Sequence, residues 1–301
     1  MIPHMQNNQS KGIFFLLLSS FFFASMSAFV RLAGDLPFFQ KVVFRNLIAV
    51  AVAGSSVAAG RTKLRFSPAS RGPMALRIIL GVIAVFCNYY AIDHLMLASS
   101  NSLSKLSPFF AILFAVVFLK ERVSRQQLGC IGIALVGSLF LLVPNMGTVG
   151  LAALIGLLGG VSSGGVHVAL RALRRDPEVD SSAIVFLFSA VSLLTALLPS
   201  LFFWQSMSLL QILALLGAGT ASAVAQYCLT ASYRYASPKD ISIFDCTQII
   251  FSGILGYLLF RQIPDPWSIT AYTLIILASL LLFIHYRRAA AREGRTGESR
   301  E

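Results

Sequence analysis

Long apolar runs follow one another along almost the whole chain, separated by short segments rich in charged and turn-forming residues. A run of about 17 to 25 apolar residues can form a helix that crosses a hydrocarbon core of ~30 Å. Counting such runs predicts an all-α integral membrane protein with ten transmembrane helices. The predicted spans are residues 12–33, 36–58, 74–93, 96–119, 126–143, 148–170, 181–203, 208–233, 240–260 and 267–286. The remaining segment, 287–301, is polar and is predicted to be a disordered cytoplasmic tail.

The fourth predicted span carries a lysine at a depth where a charge is unfavourable. Between Leu95 and Leu119 the one charged residue is Lys105, which is therefore predicted near the middle of the membrane. A charge there costs roughly 2.5 to 3.5 kcal/mol on insertion scales, so it should face a counter-charge or a water-filled cavity. Pro108 follows closely and lacks a backbone donor, which predicts a kink beside the lysine.

Composition agrees with a membrane protein, since the chain is 56 % hydrophobic and 12 % charged, with a mean hydropathy of +0.78. The net charge of +12 does not indicate a nucleic-acid partner, because the basic residues gather at the ends of apolar runs. The four cysteines lie inside apolar runs without C-x-x-C spacing, so neither a disulfide framework nor a metal site is predicted.

The first apolar run could instead be a cleaved signal peptide. The length of the run and the Arg31 that follows it favour a true membrane span.

Lysine and arginine are concentrated in alternate loops. The second, fourth, sixth and eighth loops carry Arg61, Lys63, Arg65, Arg71, Lys120, Arg122, Arg125, Arg171, Arg174, Arg175, Arg234 and Lys239. The tail is also basic, whereas the fifth and seventh loops have no lysine or arginine. Because basic loops stay on the cytoplasmic side, both termini are predicted to be cytoplasmic in a bacterial inner (plasma) membrane.

The two halves of the chain align weakly when one is shifted by 140 residues. The shift pairs Arg31 with Arg171, Pro37 with Pro177, Ala91 with Ala231, Ser102 with Ser242 and Lys105 with Asp245. We interpret this as two five-helix repeats of opposite orientation, at 12–143 and 148–286, with chance similarity as the alternative. Lys105 and Asp245 would then come close together across a two-fold axis in the membrane plane.

Three stretches carry a resemblance to a known family. They are LPFFQKVVFRNLIA with Arg45, LSKLSPFFAILFAVVFLKE with Pro108 and Glu121, and the glycine-bearing fifth span. In these stretches the chain resembles the drug/metabolite transporter superfamily, EamA type, over about residues 13–143 and 148–284. The resemblance implies two five-helix repeats and transport across a membrane, and it specifies no substrate.

The sixth span contains a G-x-S-x-G motif, which in a hydrolase marks a catalytic serine on a strand-to-helix turn. Here the motif lies in a helical run, and Gly156, Gly160 and Gly164 share one helix face, which favours close helix packing. An intramembrane enzyme that uses Ser162 or His167 remains the alternative. The sequence has neither an H-E-x-x-H motif nor a phosphate-binding G-x-x-x-x-G-K-[ST] loop, and no cofactor is predicted.

Polar and aromatic residues at similar depth in the two halves predict the lining of a central cavity, with hydrogen-bonded helix packing as the alternative. The predicted substrate-binding residues are Lys105, Asp245, Asn88, Tyr89, His167, Gln226, Tyr227 and Gln248. Arg45 and Pro108 are predicted to be gating or structural residues. Lys41, one turn before Arg45, is predicted to extend to the membrane surface.

These features together predict a secondary transporter that works by alternating access. The opposite charges of Lys105 and Asp245 suit a small polar or zwitterionic metabolite, such as an amino acid or a related amine. The predicted partners are this substrate, a coupled proton or exchanged solute, and the lipid bilayer, with no nucleic acid. A passive small-solute channel is a further alternative.

Overall fold

The structure is a computed structural model that describes residues 9–60, 62, 64–119, 123–142, 148–173, 176, 179–236 and 241–298. The helices are α1 Gln9–Leu32, α2 Phe38–Ala58, α3 Pro68–His94, α4 Leu97–Ser104, α5 Ser107–Leu119, α6 Arg125–Leu142, α7 Thr148–Leu173, α8 Ser181–Phe202, α9 Leu209–Tyr235, α10 Thr247–Phe260 and α11 Pro266–Glu298. A 3-10 helix, Ser242–Cys246, precedes α10.

Each predicted span corresponds to helix, which confirms the all-α membrane fold. Within the described ranges, nine helical segments are long and apolar enough to cross a membrane, and the apolar part of α6, Arg125–Leu141, is shorter. The prediction of a disordered tail is wrong for 287–298, where α11 continues to Glu298. Once a helix has formed, alanine, arginine and glutamate extend it readily, because nucleation is the unfavourable step. Residues 299–301 lie outside the described ranges.

The fourth span is interrupted at Lys105. Helix α4 ends at Ser104, Lys105 caps it with φ −74° and ψ −1°, and α5 begins at Ser107. Pro108 is the second residue of α5, where a missing N–H is tolerated because the first turn has no intrahelical acceptor for it. The ninth span is interrupted at the equivalent place, since Asp245 lies in the 3-10 helix before α10. Both charged residues therefore lie at breaks in their helices.

The helix contacts have an internal symmetry. Each span of the first half has a counterpart five spans later, and a contact between two spans recurs between their counterparts. Helix α1 packs on α9 and α10, and its counterpart α7 packs in the same way on α3 and the α4–α5 span. Helix α2 contacts α9, and its counterpart α8 contacts α3 in the same way. Counterparts also pack directly on each other: α2 on α8, α4 on α10, and α6 on α11. This is the packing expected of two five-helix repeats related by a two-fold axis, with the fourth and ninth spans meeting at the centre.

The three glycines of the predicted packing face hold α7 tightly against the fourth span. A Cβ atom at Gly160 would lie 2.6 Å from the carbonyl oxygen of Leu103, and one at Gly164 would lie 2.5 Å from Cβ of Phe110. A Cβ at Gly156 would meet the Leu103 side chain at 2.8 Å. The glycines thus allow α7 to approach α4 and α5 closely. The predicted packing role is confirmed.

Candidate transport site

A cavity of about 280 Å³ lies between the two halves at the level of the helix breaks. Its volume is slightly below the roughly 300–1,000 Å³ of typical ligand pockets, which suits a small metabolite. Its walls come from α1, α2, α3, α7, α9 and the two interrupted spans. Six predicted substrate-binding residues line it: Asn88, Tyr89, Lys105, His167, Asp245 and Gln248. Arg45 lines it as well.

Lys105 and Asp245 meet in this cavity across the interface of the two halves. The distance between Lys105 Nζ and Asp245 Oδ2 is 2.6 Å, and the two side chains are 13 % and 31 % exposed. The helix breaks explain this approach, because each residue lies where its helix changes course and can project towards the other half. Asp245 is therefore the counter-charge that the sequence predicts for Lys105, and each charge neutralises the other. Its partial exposure also leaves both charges accessible to a ligand.

A buried hydrogen-bond network closes the cavity on the α1, α4 and α10 side. Gln248 Nε2 donates to Asn101 Oδ1 at 2.6 Å, and Asn101 Nδ2 donates to Ser252 Oγ at 2.9 Å. Asn101 Nδ2 also donates to Ser27 Oγ of α1 at 3.2 Å. Sequence reasoning missed Asn101, Ser27 and Ser252. The available signal for Asn101 was the polar run 99–102 inside an otherwise apolar span.

On the opposite wall, α2 and α3 contribute Arg45, Asn88 and Tyr89. Asn88 Nδ2 donates to Ser104 Oγ at 2.5 Å and so ties α3 to the helix break. Tyr89 is 2 % exposed, and its hydroxyl has no hydrogen-bond partner in the part of the chain that the structure describes. Arg45 is half-buried and makes a long contact of 3.5 Å with Asn46 Oδ1.

Two predicted substrate-binding residues lie outside the cavity wall. Gln226 and Tyr227 are exposed on α9, and 64 % of Tyr227 is accessible, so these side chains face away from the space between the halves. Leu229, on another face of α9, lines the cavity instead. Pro108 is exposed beside the cavity and not part of its wall. In the G-x-S-x-G motif, Ser162 is 4 % exposed and packed among helices, whereas Ser163 lines the cavity.

The prediction for Lys41 is wrong, because its side chain is 1 % exposed and does not reach the membrane surface. Lys41 Nζ lies 2.6 Å from Asp93 Oδ1 and donates to the carbonyl oxygen of Gly34 at 2.7 Å. A buried carboxylate within reach holds the ammonium group more strongly than water at the surface would. Nearby, the Arg31 guanidinium donates to the carbonyl oxygens of Ile92 and Leu95. These contacts join α1, α2 and the end of α3 at one end of the bundle, which we call the Lys41 end.

The cavity opens in the opposite direction. Tyr89, Asn101 and Gln248, towards the Lys41 end, are buried, whereas His167 in the same cavity is exposed. His167 lies on α7 one turn before Arg171, at the end of the bundle that carries the basic sixth loop. We call this the Arg171 end. The cavity is therefore a pocket closed at the Lys41 end and accessible from the Arg171 end.

A helical membrane bundle whose interrupted helices meet at a charged central pocket, open at one end and closed at the other, has the architecture of a solute transporter. Comparison with known proteins also indicates a transporter and identifies its family. The chain belongs to the EamA-like transporter family, whose model matches residues 10–143 and 150–284. These two matches cover most of the chain and correspond closely to the two predicted repeats.

Curated relatives of similar length are also transporters. The pseudopaline exporter CntI of Pseudomonas aeruginosa is 30 % identical over 90 % of this chain and 95 % of its own length. The riboflavin transporter of Brucella anthropi is 28 % identical over 70 % of this chain and 76 % of its own. A crystal structure with 17 % identity superposes with a TM-score of 0.63 over 93 % of this chain and 99 % of that chain, which supports the fold. The protein is therefore a multi-pass membrane transporter, and the enzyme alternative built on Ser162 and His167 is set aside.

Proposed function

We propose that the protein is a secondary transporter of a small polar or zwitterionic metabolite, an amino acid or a related amine, which it moves by alternating access. The observation that carries this proposal is the Lys105–Asp245 pair, which lies in the central cavity where both interrupted helices meet. Transporters built from inverted repeats place their substrate sites at such helix breaks. A pair that offers both signs of charge suits a ligand that carries both.

The pair also supplies a way for the substrate to influence the conformation. Lys105 belongs to the first half and Asp245 to the second, so their attraction holds the halves together at the centre. A ligand ammonium group that binds Asp245 competes with Lys105 and weakens this link. The halves can then rock against each other, which is the motion that alternating access requires. A proton on Asp245 would weaken the link in the same way and could serve as the coupling ion, as could an exchanged solute.

The sidedness of this conformation follows from the distribution of basic residues. With basic loops on the cytoplasmic side, the Arg171 end faces the cytoplasm and both termini are cytoplasmic. The cavity described above is then the inward-open form of the carrier in a bacterial inner membrane. The relatives include one protein named as an exporter and one named simply as a transporter, which supports small-molecule transport as the shared activity.

Counterflow in proteoliposomes tests the proposal. Vesicles containing the purified full chain are loaded with one unlabelled amino acid or amine at a time, and uptake of the labelled compound is measured. We expect saturable uptake that internal substrate accelerates, and its loss in Lys105→Ala. Arg71→Gln, which removes an exposed charge at the start of α3, should transport normally.

The channel alternative gives a different result in the same vesicles. A passive channel would give non-saturating flux and measurable conductance, with no acceleration by internal solute. Such behaviour, or the absence of counterflow with every compound tested, would refute the proposal of a secondary transporter for amino acids and amines.

A further inference from the structure

Two arginines on the α2–α3 side of the bundle have no carboxylate partner among the residues that the structure describes. Arg45 lines the cavity, and Arg77, on the same helix as the cavity residues Asn88 and Tyr89, has its guanidinium 4.2 Å from the ring centroid of Phe188. Within the candidate spans that the structure describes, the carboxylates are Asp93 and Asp245, and a lysine holds each of them at 2.6 Å. This side of the cavity therefore carries excess positive charge.

A second, independent observation concerns the neighbouring hydroxyl group. Tyr89 is 2 % exposed and lines the same cavity, yet its hydroxyl makes no hydrogen bond within the described part of the chain. Buried polar groups in folded proteins almost always have a partner, so the unpaired hydroxyl of this cavity-lining residue is a donor that a bound ligand can recruit when the side chain turns into the cavity. Arg45 and Tyr89 both line this cavity, so one ligand can reach both side chains.

We infer that Arg45 and Tyr89 form the subsite for a carboxylate group of the transported metabolite. A guanidinium group donates two parallel hydrogen bonds that match the two oxygens of a planar carboxylate, and the Tyr89 hydroxyl supplies a third donor. The amino group of the same ligand is left for Asp245.

This inference rests on the proposed transport function and narrows its substrate class. An amino acid, or a longer amino-carboxylate, satisfies both the Arg45–Tyr89 subsite and Asp245, whereas an amine without a carboxylate leaves Arg45 unneutralised. A purely structural role for Arg45 fits the contacts less well. Its bond to Asn46 Oδ1 is long, at 3.5 Å, whereas Asn46 Nδ2 donates to Ser192 Oγ at 2.7 Å.

Thermal unfolding of the purified full chain tests the subsite, because a ligand that binds the native state raises the unfolding midpoint. The probes are the common amino acids, each compared with its carboxamide and with the corresponding decarboxylated amine. We expect one or more amino acids to stabilise the protein, while the matching amide and amine at the same concentration do not.

The variants locate the effect. Arg45→Gln should weaken the apparent affinity for the stabilising amino acid roughly 10- to 100-fold, as expected for the loss of charged hydrogen bonds. Tyr89→Phe should weaken it less, by roughly 3- to 10-fold, because one donor is lost. Arg71→Gln and Tyr90→Phe are the matched controls, outside the cavity wall, and should bind as the wild type does.

Several results would overturn the inference. They are equal stabilisation by an acid and its amide, unchanged affinity in folded Arg45→Gln, or no stabilisation by any amino acid. If Arg45→Gln does not fold, unchanged affinity in Tyr89→Phe and in Arg45→Lys overturns it equally well. Binding of amino acids without counterflow would refute transport and leave the subsite standing. Counterflow of amines alone would refute the subsite and leave transport standing.

Discussion

Lys105 and Asp245 stabilise the protein as a pair, so removing one should do more harm than removing both. Lys105→Ala leaves Asp245 as an uncompensated charge between the halves, and Asp245→Ala does the same to Lys105. Stranding a fully buried charge costs about 3–5 kcal/mol, and the partial exposure of this pair makes the cost smaller. The yield of folded protein should fall in each single variant and recover in the double variant.

The charge swap, Lys105→Asp with Asp245→Lys, separates the structural role of the pair from its role in transport. It restores the ion pair but exchanges the positions of the two charges relative to the rest of the cavity. We expect the folded yield to recover and substrate uptake in proteoliposomes to remain low. Recovery of both would assign the pair to structure alone.

The Lys41–Asp93 pair is more deeply buried than the Lys105–Asp245 pair, so its rupture should be more damaging. The two side chains are 1 % and 16 % exposed, and Lys41→Ala should therefore destabilise the protein by about 3–5 kcal/mol. Denaturant unfolding in detergent measures the change. Lys41→Met combined with Asp93→Leu should recover much of the loss, and a larger effect of Lys105→Ala than of Lys41→Ala would contradict this ordering.

At the scale of helices, the contact between α7 and the fourth span depends on the absence of side chains at three positions. Gly160→Ala would place a Cβ 2.6 Å from the Leu103 carbonyl oxygen, which is backbone and cannot rotate away. We expect a loss of about 1–3 kcal/mol in unfolding free energy, as for an overpacked core. Gly132→Ala on α6 is the control, because a Cβ there meets no atom within 4 Å. Equal stability of the two variants would refute the packing argument.

The helices themselves could be predicted from sequence because a membrane span needs a long apolar run, and few other structures do. Lys105 and Asp245 could be singled out for the same reason, since charges within apolar runs are rare and costly. That they pair could also be predicted, because the 140-residue shift between the repeats aligns Lys105 with Asp245. The partner of Lys41 was harder to find, because Asp93 lies at the edge of its predicted span and has no comparable signal.

Which face of a helix points inwards could not be predicted in the same way. In a soluble protein the apolar face of a helix is the buried one, but lipid makes the outer face apolar too, so this contrast is weak in a membrane. The polar residues Gln226 and Tyr227 were therefore assigned to the cavity, whereas the structure turns them outwards and places Leu229 there. The Asn101 network was missed because serine and asparagine serve equally well as packing contacts between membrane helices.

At the scale of the whole molecule, the basic loops and the cavity opening should lie on the same side of the membrane. Leu64 lies in the second loop and is 45 % exposed, and Ser206 is exposed in the seventh loop at the Lys41 end. In a background without the native cysteines, Ser206→Cys should react with a membrane-impermeant maleimide added outside intact cells. Leu64→Cys should react only after the inner membrane is permeabilised. Labelling of both from the same side would refute the topology.

The Lys41–Asp93 pair has no counterpart in the other half of the protein. The shift that aligns Lys105 with Asp245 aligns Lys41 with Ser181 and Asp93 with Tyr233, and these two residues cannot form an ion pair. Both residues belong to the first half, so the pair fastens α2 to α3 within that half and leaves the second half without an equivalent tie. When the halves rock against each other, the first half should therefore move as the stiffer of the two at the Lys41 end. Breaking the pair should loosen α2 from α3 and leave the Lys105–Asp245 link between the halves in place.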